Sequence, residues 1–210
     1  MMPNKQRSIE RDVQSFCGWD FLLELIKACP DMEHKGVIAG LFLTGCRVSE
    51  LIRLRLDNVS FEYLPKLLLF KDVPVLKRYS RKTGKRYVDY RTFPVKYDEP
   101  LVPFFVDYYK YMERRGEKLL YPYHRSTIFR MVRTVGYLVN RRVPFSNIHS
   151  SQLYPHWFRA QRASQLKIDY GFDLDALREF FGWKMRNVGV PVIYAKVGWI
   201  GLARKMGIDI

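Results

Sequence analysis

Apolar residues recur at intervals of three and four positions along most of this chain, which is the spacing that forms the buried face of a helix. In the first such segment Leu22, Leu25 and Ile26 share one face. Residues that favour helix caps precede two later segments, Ser126 before the fifth and Asp173 before the seventh. Helices are predicted over residues 19–29, 34–44, 47–56, 104–119, 127–140, 156–166, 174–181 and 198–208.

Residues 66–95 have a different pattern, because β-rich runs replace the helical period there. The runs are KLLLF, VPVLKRY and KRYVDYRTFPV, and the segment KTGK at 82–85 separates the last two. Gly84 favours a tight reversal between them. The predicted fold class is therefore mainly α with a small antiparallel β-sheet (α+β).

Length and cysteine content narrow the class of protein. A chain of 210 residues, 48% of them apolar, suits one domain or one domain with a short appendage. No apolar run reaches the length of a membrane span, and the polar N-terminus lacks the apolar centre of a secretory signal. The three cysteines match no zinc spacing and the four histidines form no helical ligand pair, so reduced thiols in the cytoplasm and no structural metal are expected.

Charge adds a class of partner. The 36 basic and 21 acidic side chains give a net charge of +15, which favours a polyanion, with nucleic acid ahead of an acidic membrane surface. Residues 77–91 hold seven Lys or Arg and one acid, centred on the predicted turn. Such a hairpin fits a phosphate-lined groove better than the alternative of a strand edge protected by lysines.

Three separated segments combine with this hairpin into one specific pattern. They are LFLTGCRVSELIRLRLDNV (41–59), PHWFRAQRASQL (155–166) and FFGWKMRNVGVPVIYAK (180–196). Together they resemble the tyrosine recombinase family, or phage integrases, through T-G-x-R-x-x-E-L, H-x-x-R, and Gly-Trp followed by a tyrosine. KTGK matches the place of that family's catalytic lysine. Each motif alone is weak, but the four occur in order, and the resemblance runs from about residue 20 to the end.

The resemblance implies the fold of the family's catalytic domain, the DNA breaking-rejoining fold, and a role for each matched residue. Arg47 and Arg159 would grip the phosphate, since a guanidinium stays charged and binds oxygens bidentately. Tyr194 would attack phosphorus and form a 3′-phosphotyrosyl link. Glu50 would orient the arginines.

Four further residues have proton-transfer or hydrogen-bonding roles by resemblance. His156 would accept a proton or bind phosphate, and Trp183, a donor only, would bind a phosphate oxygen or support the tyrosine segment. Lys82 is the first candidate for the acid that protonates the leaving 5′-oxygen, and Lys85 is its rival. The remaining predicted DNA contacts are Arg81, Lys85 and Arg86.

The implied function is site-specific recombination or integration of DNA without metal, ATP or another cofactor. The implied partner is double-stranded DNA in the nucleoid or host cell. The protein would be a monomer in solution and would assemble on this DNA into a homotetramer or dimer of dimers. Two alternatives stay open: relaxation of supercoils as in type IB topoisomerases, and a basic DNA-binding module without catalysis.

The predicted organisation has an N-terminal arm or linker (1–19), a catalytic domain (20–197) and a C-terminal tail helix (198–210). The tail would dock on a neighbouring protomer or pack on its own domain. The family's usual N-terminal core-binding domain is missing from this sequence, which predicts a catalytic fragment or a minimal enzyme. The stretch from Trp183 to Tyr194 is longer than is usual, so the tyrosine could enter its own site or a neighbour's.

Overall fold

The computed structural model describes residues 16–79, 86–142, 152–183 and 197–210, with the side chains of 77–79, 86 and 87 excluded. The helices are α1 (Trp19–Ala28), α2 (Met32–Thr44), α3 (Val48–Leu51), α4 (Val102–Arg114), α5 (Arg125–Arg142), α6 (Pro155–Tyr170), α7 (Leu174–Phe181) and α8 (Gly198–Lys205). The strands are β1 (Val59–Ser60), β2 (Leu67–Tyr79) and β3 (Arg86–Lys96), paired antiparallel in the order β1-β2-β3. The predicted mainly helical fold with a small antiparallel sheet is confirmed.

The centre of the helical part is α2, which is apolar on all sides and therefore buried. Every residue from Gly36 to Thr44 is buried, and α2 contacts α1, α4, α5 and α6. Asp31 caps the helix by accepting a hydrogen bond from the backbone N–H of His34 at 2.8 Å. The C-terminal end of α2 consequently lies deep in the molecule, where the T-G-x-R motif begins.

The sheet is a long hairpin that covers one side of the helices. Strand β2 unites two of the β-rich runs, with irregular pairing between Phe70 and Val73 and again before Arg78. The rings of Phe70 and Phe93 stack across the two strands with centroids 5.2 Å apart. The KTGK segment at 82–85 lies outside the described residues, so its predicted turn remains a prediction.

Helix caps agree with the sequence at α7 and differ at α5. Asp173 accepts a hydrogen bond from the N–H of Ala176 at 2.8 Å, as predicted. The prediction of Ser126 as the cap of α5 is wrong, because α5 already begins at Arg125. The imidazole of His124 takes the capping position instead, with Nδ1 3.3 Å from the backbone nitrogen of Ser126.

The C-terminal helix α8 packs on β3 and α7 of its own chain. Leu202 is buried, Trp199 lies against Tyr63 with ring centroids 5.2 Å apart, and Lys205 pairs with Asp173 at 2.8 Å. The tail helix thus packs on its own domain within this chain, and its predicted docking on a neighbouring protomer stays a prediction. Among the described residues, no helix is long and apolar enough to cross a membrane.

Gly36→Ala should lower the free energy of unfolding by about 2–3 kcal/mol, because it overpacks the α2–α4 contact. A Cβ at Gly36 would lie 2.1 Å from Cγ of the buried Tyr108 ring. Urea denaturation measures the loss. In a Tyr108→Leu background the same substitution should cost less than about 1 kcal/mol. Equal losses in both backgrounds would contradict this explanation.

Candidate active site

The turn after α2 presents Arg47, and its conformation depends on the two residues at the helix end. The hydroxyl of Thr44 donates to the carbonyl of Gly40 at 2.6 Å and accepts from the N–H of Cys46 at 3.1 Å. Gly45 adopts the left-handed conformation with φ 55°, and a Cβ there would lie 2.3 Å from the Phe181 ring. The T-G-x-R motif is therefore a helix stop that places its arginine directly after a buried turn.

Glu50 is fully buried and connects the two arginines of the motifs. Its Oε1 accepts from Nη1 of Arg47 at 2.7 Å, and its Oε2 accepts from the backbone N–H of Arg47 at 2.9 Å. Oε2 also lies 3.7 Å from Nη1 of Arg159. The carboxylate thus lies between the two guanidinium groups and joins them in one cluster.

Arg159 lies deeper than Arg47. Its side chain is 2% exposed, against 28% for Arg47. The terminal nitrogens of Arg159 donate to the carbonyls of Gly45 and Phe181, the latter at 3.1 Å. These contacts use two of the five N–H groups of a guanidinium. Arg159 is therefore fixed between the turn after α2 and the end of α7.

Trp183 belongs to this same cluster. Gly182 ends α7 in the left-handed conformation with φ 64°, and the N–H of Trp183 bonds the carbonyl of Arg178 at 2.9 Å. The indole stacks on Phe181 with centroids 4.8 Å apart. The guanidinium of Arg159 lies 4.7 Å from the Phe181 centroid and 5.7 Å from that of Trp183. The Gly-Trp motif thus supplies an aromatic surface for the buried arginine.

The residues of this cluster lie within a segment of the chain that is similar to known proteins. The family model described as phage integrase family matches residues 20–197. The chain belongs to the phage integrase family. A crystal structure of XerA recombinase is similar in fold, with a TM-score of 0.54 and 18% identity, over 86% of this chain and 63% of that one. This chain therefore spans less than two thirds of the length of the XerA chain. Comparison with curated proteins gives no match.

Burial lowers the pKa of the Arg159 guanidinium to about 9. The positive charges of Arg91 and Arg47 act in the same direction, and Glu50 opposes them. The lowered pKa still lies above neutrality, so the guanidinium remains charged at pH 7. Burial also raises the pKa of the Cys46 thiol, which is consistent with a neutral side chain inside the cluster.

His156 is the second residue of α6, three residues before Arg159, and the two side chains differ in burial. His156 is exposed, whereas Arg159 is buried. Since positions three apart lie on neighbouring parts of one helix face, the imidazole lies toward solvent on the turn that carries the buried arginine. This placement leaves the predicted catalytic role of His156 a prediction.

Several predicted site residues lie outside the described residues. They are Arg81, Lys82, Lys85 and Tyr194. Arg86 is described only by its backbone, which pairs with Tyr79 in the hairpin. The general acid, the nucleophile and the basic turn therefore remain sequence predictions, while the two arginines of the motifs, Arg47 and Arg159, have a defined geometry.

Sequence reasoning missed one buried arginine in this cluster, Arg91 of β3. It entered the prediction only as one of seven basic residues in a hairpin expected to enter a phosphate-lined groove. A signal was available, since Arg91 lies at even spacing from Phe93 and Val95, both of which face the core. Period-two alternation places all three side chains on one face of the strand.

The sequence reasoning also overlooked a basic face on α5. Five exposed residues recur there at intervals of four, with arginines alternating with aromatic rings. They are Arg125, Phe129, Arg133, Tyr137 and Arg141. The guanidinium of Arg125 lies 5.6 Å from the Phe129 ring and that of Arg141 lies 5.9 Å from the Tyr137 ring. The 18-residue helix contains no Asp or Glu, so this face is uniformly positive.

Glu50→Gln should reduce the free energy of unfolding by about 3 kcal/mol, because it leaves the buried Arg159 without its carboxylate. Urea denaturation checks this. Glu62→Gln is the matched control: that carboxylate is 63% exposed and 3.4 Å from Lys71, so its loss should cost below about 0.5 kcal/mol. A loss as small for Glu50 as for Glu62 would show that the cluster needs no buried negative charge.

Proposed function

We propose that this integrase cleaves and rejoins double-stranded DNA through a covalent 3′-phosphotyrosyl intermediate, as a site-specific recombinase. The observation that carries the proposal is the pair of guanidinium groups, on Arg47 and Arg159, held around one buried carboxylate. Two charged forks from distant segments fit the two non-bridging oxygens of a phosphodiester. Family membership supports the same activity.

The charge of the cluster supports transfer of a phosphoryl group. Arg47, Arg91 and Arg159 contribute three positive charges and Glu50 one negative charge, which leaves +2. A phosphodiester carries −1, and a second negative charge develops as an oxyanion attacks phosphorus. Fixed positive groups that match the charge of this transition state lower the barrier most.

In the proposed reaction the Tyr194 hydroxyl loses its proton and its oxygen attacks phosphorus. The bond from phosphorus to the 5′-oxygen breaks, and that oxygen takes a proton from Lys82, with Lys85 as the alternative donor. His156 accepts or relays the tyrosine proton, and the Trp183 indole N–H donates to a phosphate oxygen. A 5′-hydroxyl of another strand reverses the step, so no ATP is consumed.

Exchange between two duplexes involves four strands, and a homotetramer on DNA gives each strand its own tyrosine. The basic face of α5 and the hairpin with Arg81, Lys85 and Arg86 supply phosphate contacts away from the reacting group. The tail helix α8 offers a further contact between protomers. Mixing two distinguishable DNA partners tests the assembly, because exchanged products require recombination, whereas relaxed supercoils alone would indicate a topoisomerase-like reaction.

The contribution of α5 is measurable as salt dependence. Replacing Arg125, Arg133 and Arg141 together by glutamine should reduce the slope of log K against log salt by about 0.9 for each phosphate that the variant no longer neutralises. Arg55→Gln, at an exposed arginine paired with Asp57, should leave the slope unchanged. Fluorescence anisotropy with duplex DNA at several salt concentrations gives both slopes. Equal slopes for the triple variant and wild type would show that α5 does not contact DNA phosphates.

The proposal is tested by incubating the protein with nicked duplex DNA in the presence of EDTA. A covalent protein–DNA adduct should appear on a denaturing gel and disappear after protease treatment. Tryptic digestion should place the nucleotide on the peptide NVGVPVIYAK (187–196), in which Tyr194 carries the only hydroxyl side chain. Binding of DNA with no adduct would instead favour the non-catalytic DNA-binding module. A nucleotide on another peptide would move the nucleophile away from Tyr194.

A further inference from the structure

We propose that Arg91 is a positioning residue of the active site, which sets the distance between the turn carrying Arg47 and the turn carrying Trp183. This inference rests on the proposed DNA cleavage. Arg91 stands on β3 and is 6% exposed, with its guanidinium 4.6 Å from the Phe93 centroid. Its contacts reach two segments that are distant from β3 in sequence.

Arg91 bridges the ends of two helices. One terminal nitrogen donates to the carbonyl of Thr44, at the end of α2, at 3.2 Å. The other donates to the carbonyl of Phe180, at the end of α7. The last carbonyls of a helix lack partners within it and form the negative end of its dipole. A cation between two such ends therefore holds them together.

Arg159 makes the same kind of bridge one residue further along. It donates to Gly45 and Phe181, while Arg91 donates to Thr44 and Phe180. The two arginines thus pair consecutive carbonyls of the same two turns. Only one of them lies in a motif of the family pattern, yet both fix the same junction.

The junction controls the reacting groups on each side. Arg47 follows Thr44 by three residues, and Trp183 follows Phe180 by three residues. Arg91 also donates to Sγ of Cys46 at 3.2 Å, directly before the backbone of Arg47. A shift of one turn against the other would displace both groups from the phosphate.

We assign Arg91 a supporting role because its two terminal nitrogens bond three protein groups, Thr44, Cys46 and Phe180. Arg159 makes two such bonds and lies beside Glu50, which also pairs with the partly exposed Arg47. The Nε of Arg91 is buried and has no hydrogen-bond partner in the described part of the chain. The positive charge of Arg91 also contributes to lowering the pKa of Arg159, which agrees with close coupling of the two side chains.

The experiment compares Arg91→Met and Arg91→Lys with wild type in single-turnover cleavage of nicked DNA. Both variants should cleave about tenfold to hundredfold more slowly at saturating DNA, since small misplacements of reacting groups have effects of this size. Their affinity for DNA should stay within about threefold of wild type. Lysine retains the positive charge but cannot bond both turns. Arg91→Lys therefore distinguishes the effect of the forked guanidinium from the effect of the charge.

A second readout excludes a merely structural role. With a neutral methylphosphonate at the cleavage site, the rate relative to the phosphate substrate should rise at least about tenfold in both Arg91 variants, because a displaced Arg47 then has less negative charge to neutralise. Gly36→Ala is the control for general instability. At a temperature where it is folded by circular dichroism, it should show wild-type rates and a wild-type ratio for the two substrates.

The results separate the two proposals. Wild type that forms no adduct overturns the proposed function and the inference with it. Wild type that reacts, with folded Arg91→Met cleaving at the normal rate, overturns the inference alone, as does an Arg91→Lys variant with wild-type rate. Failure of both variants to fold at the lowest temperature at which wild type reacts would assign Arg91 a purely structural role.

Discussion

Tyr194→Phe should abolish the covalent adduct, with a loss of more than about 10⁴-fold, while the affinity for duplex DNA stays within about threefold. Phenylalanine keeps the ring and removes the attacking oxygen, so only the chemical step is lost. The adduct is scored on a denaturing gel after incubation in EDTA. Tyr154→Phe is the matched control, because Tyr154 is exposed and lies directly before α6.

The same variant decides where the tyrosine acts. Tyr194→Phe retains the arginine cluster, and an Arg159→Met protein retains the nucleophile. If each tyrosine enters the site of a neighbouring protomer, a mixture of the two inactive proteins regains the adduct. If each acts in its own site, the mixture stays inactive. An adduct formed by Tyr194→Phe alone would contradict the assignment of the nucleophile.

Arg159→Lys should slow single-turnover cleavage by about 10²- to 10³-fold, because lysine is a point charge without the fork that contacts two turns and, in the proposed reaction, binds the phosphate. Affinity for DNA should change by less than about threefold, since many surface phosphate contacts remain. Quench experiments at saturating DNA give the rate, and anisotropy gives the affinity.

A control on the same helix separates local charge from catalytic geometry. Lys167 is an exposed cation on α6, and Lys167→Met should retain the wild-type cleavage rate at saturating DNA. A neutral methylphosphonate substrate should recover part of the rate of Arg159→Met, because the substrate then carries less negative charge and depends less on the guanidinium that the variant lacks. Arg159→Lys with wild-type activity would mean that this buried arginine does not bind the reacting phosphate.

Local sequence signals predicted most of the elements that position the site. Apolar spacing predicted α1 and α2 within a few residues, and Asp173 marked the start of α7. These features depend on interactions within a few residues along the chain, such as caps and left-handed glycines. The wrong prediction of Ser126 as a cap also concerns interactions over a few residues, since His124, two residues earlier, caps α5.

The sequence could not predict how these local parts meet. Glu50 contacts both arginines only because α3 and α6 are brought together by the packing of α2. Whether His156 and Arg159 are equally buried also depends on which elements pack against α6. Packing between distant segments decides such points, and no pattern of spacing contains that information.

By itself, the sequence determined the family, because membership follows from residue types in ordered motifs, and it predicted the side chains for phosphoryl transfer. The tertiary structure alone decided that Arg91 is part of the cluster and that α8 packs on its own chain. A charged residue in a basic hairpin is expected in water unless distant groups stabilise it. In this chain the carbonyls at the ends of α2 and α7 are those groups, and they stabilise Arg91 in a buried position.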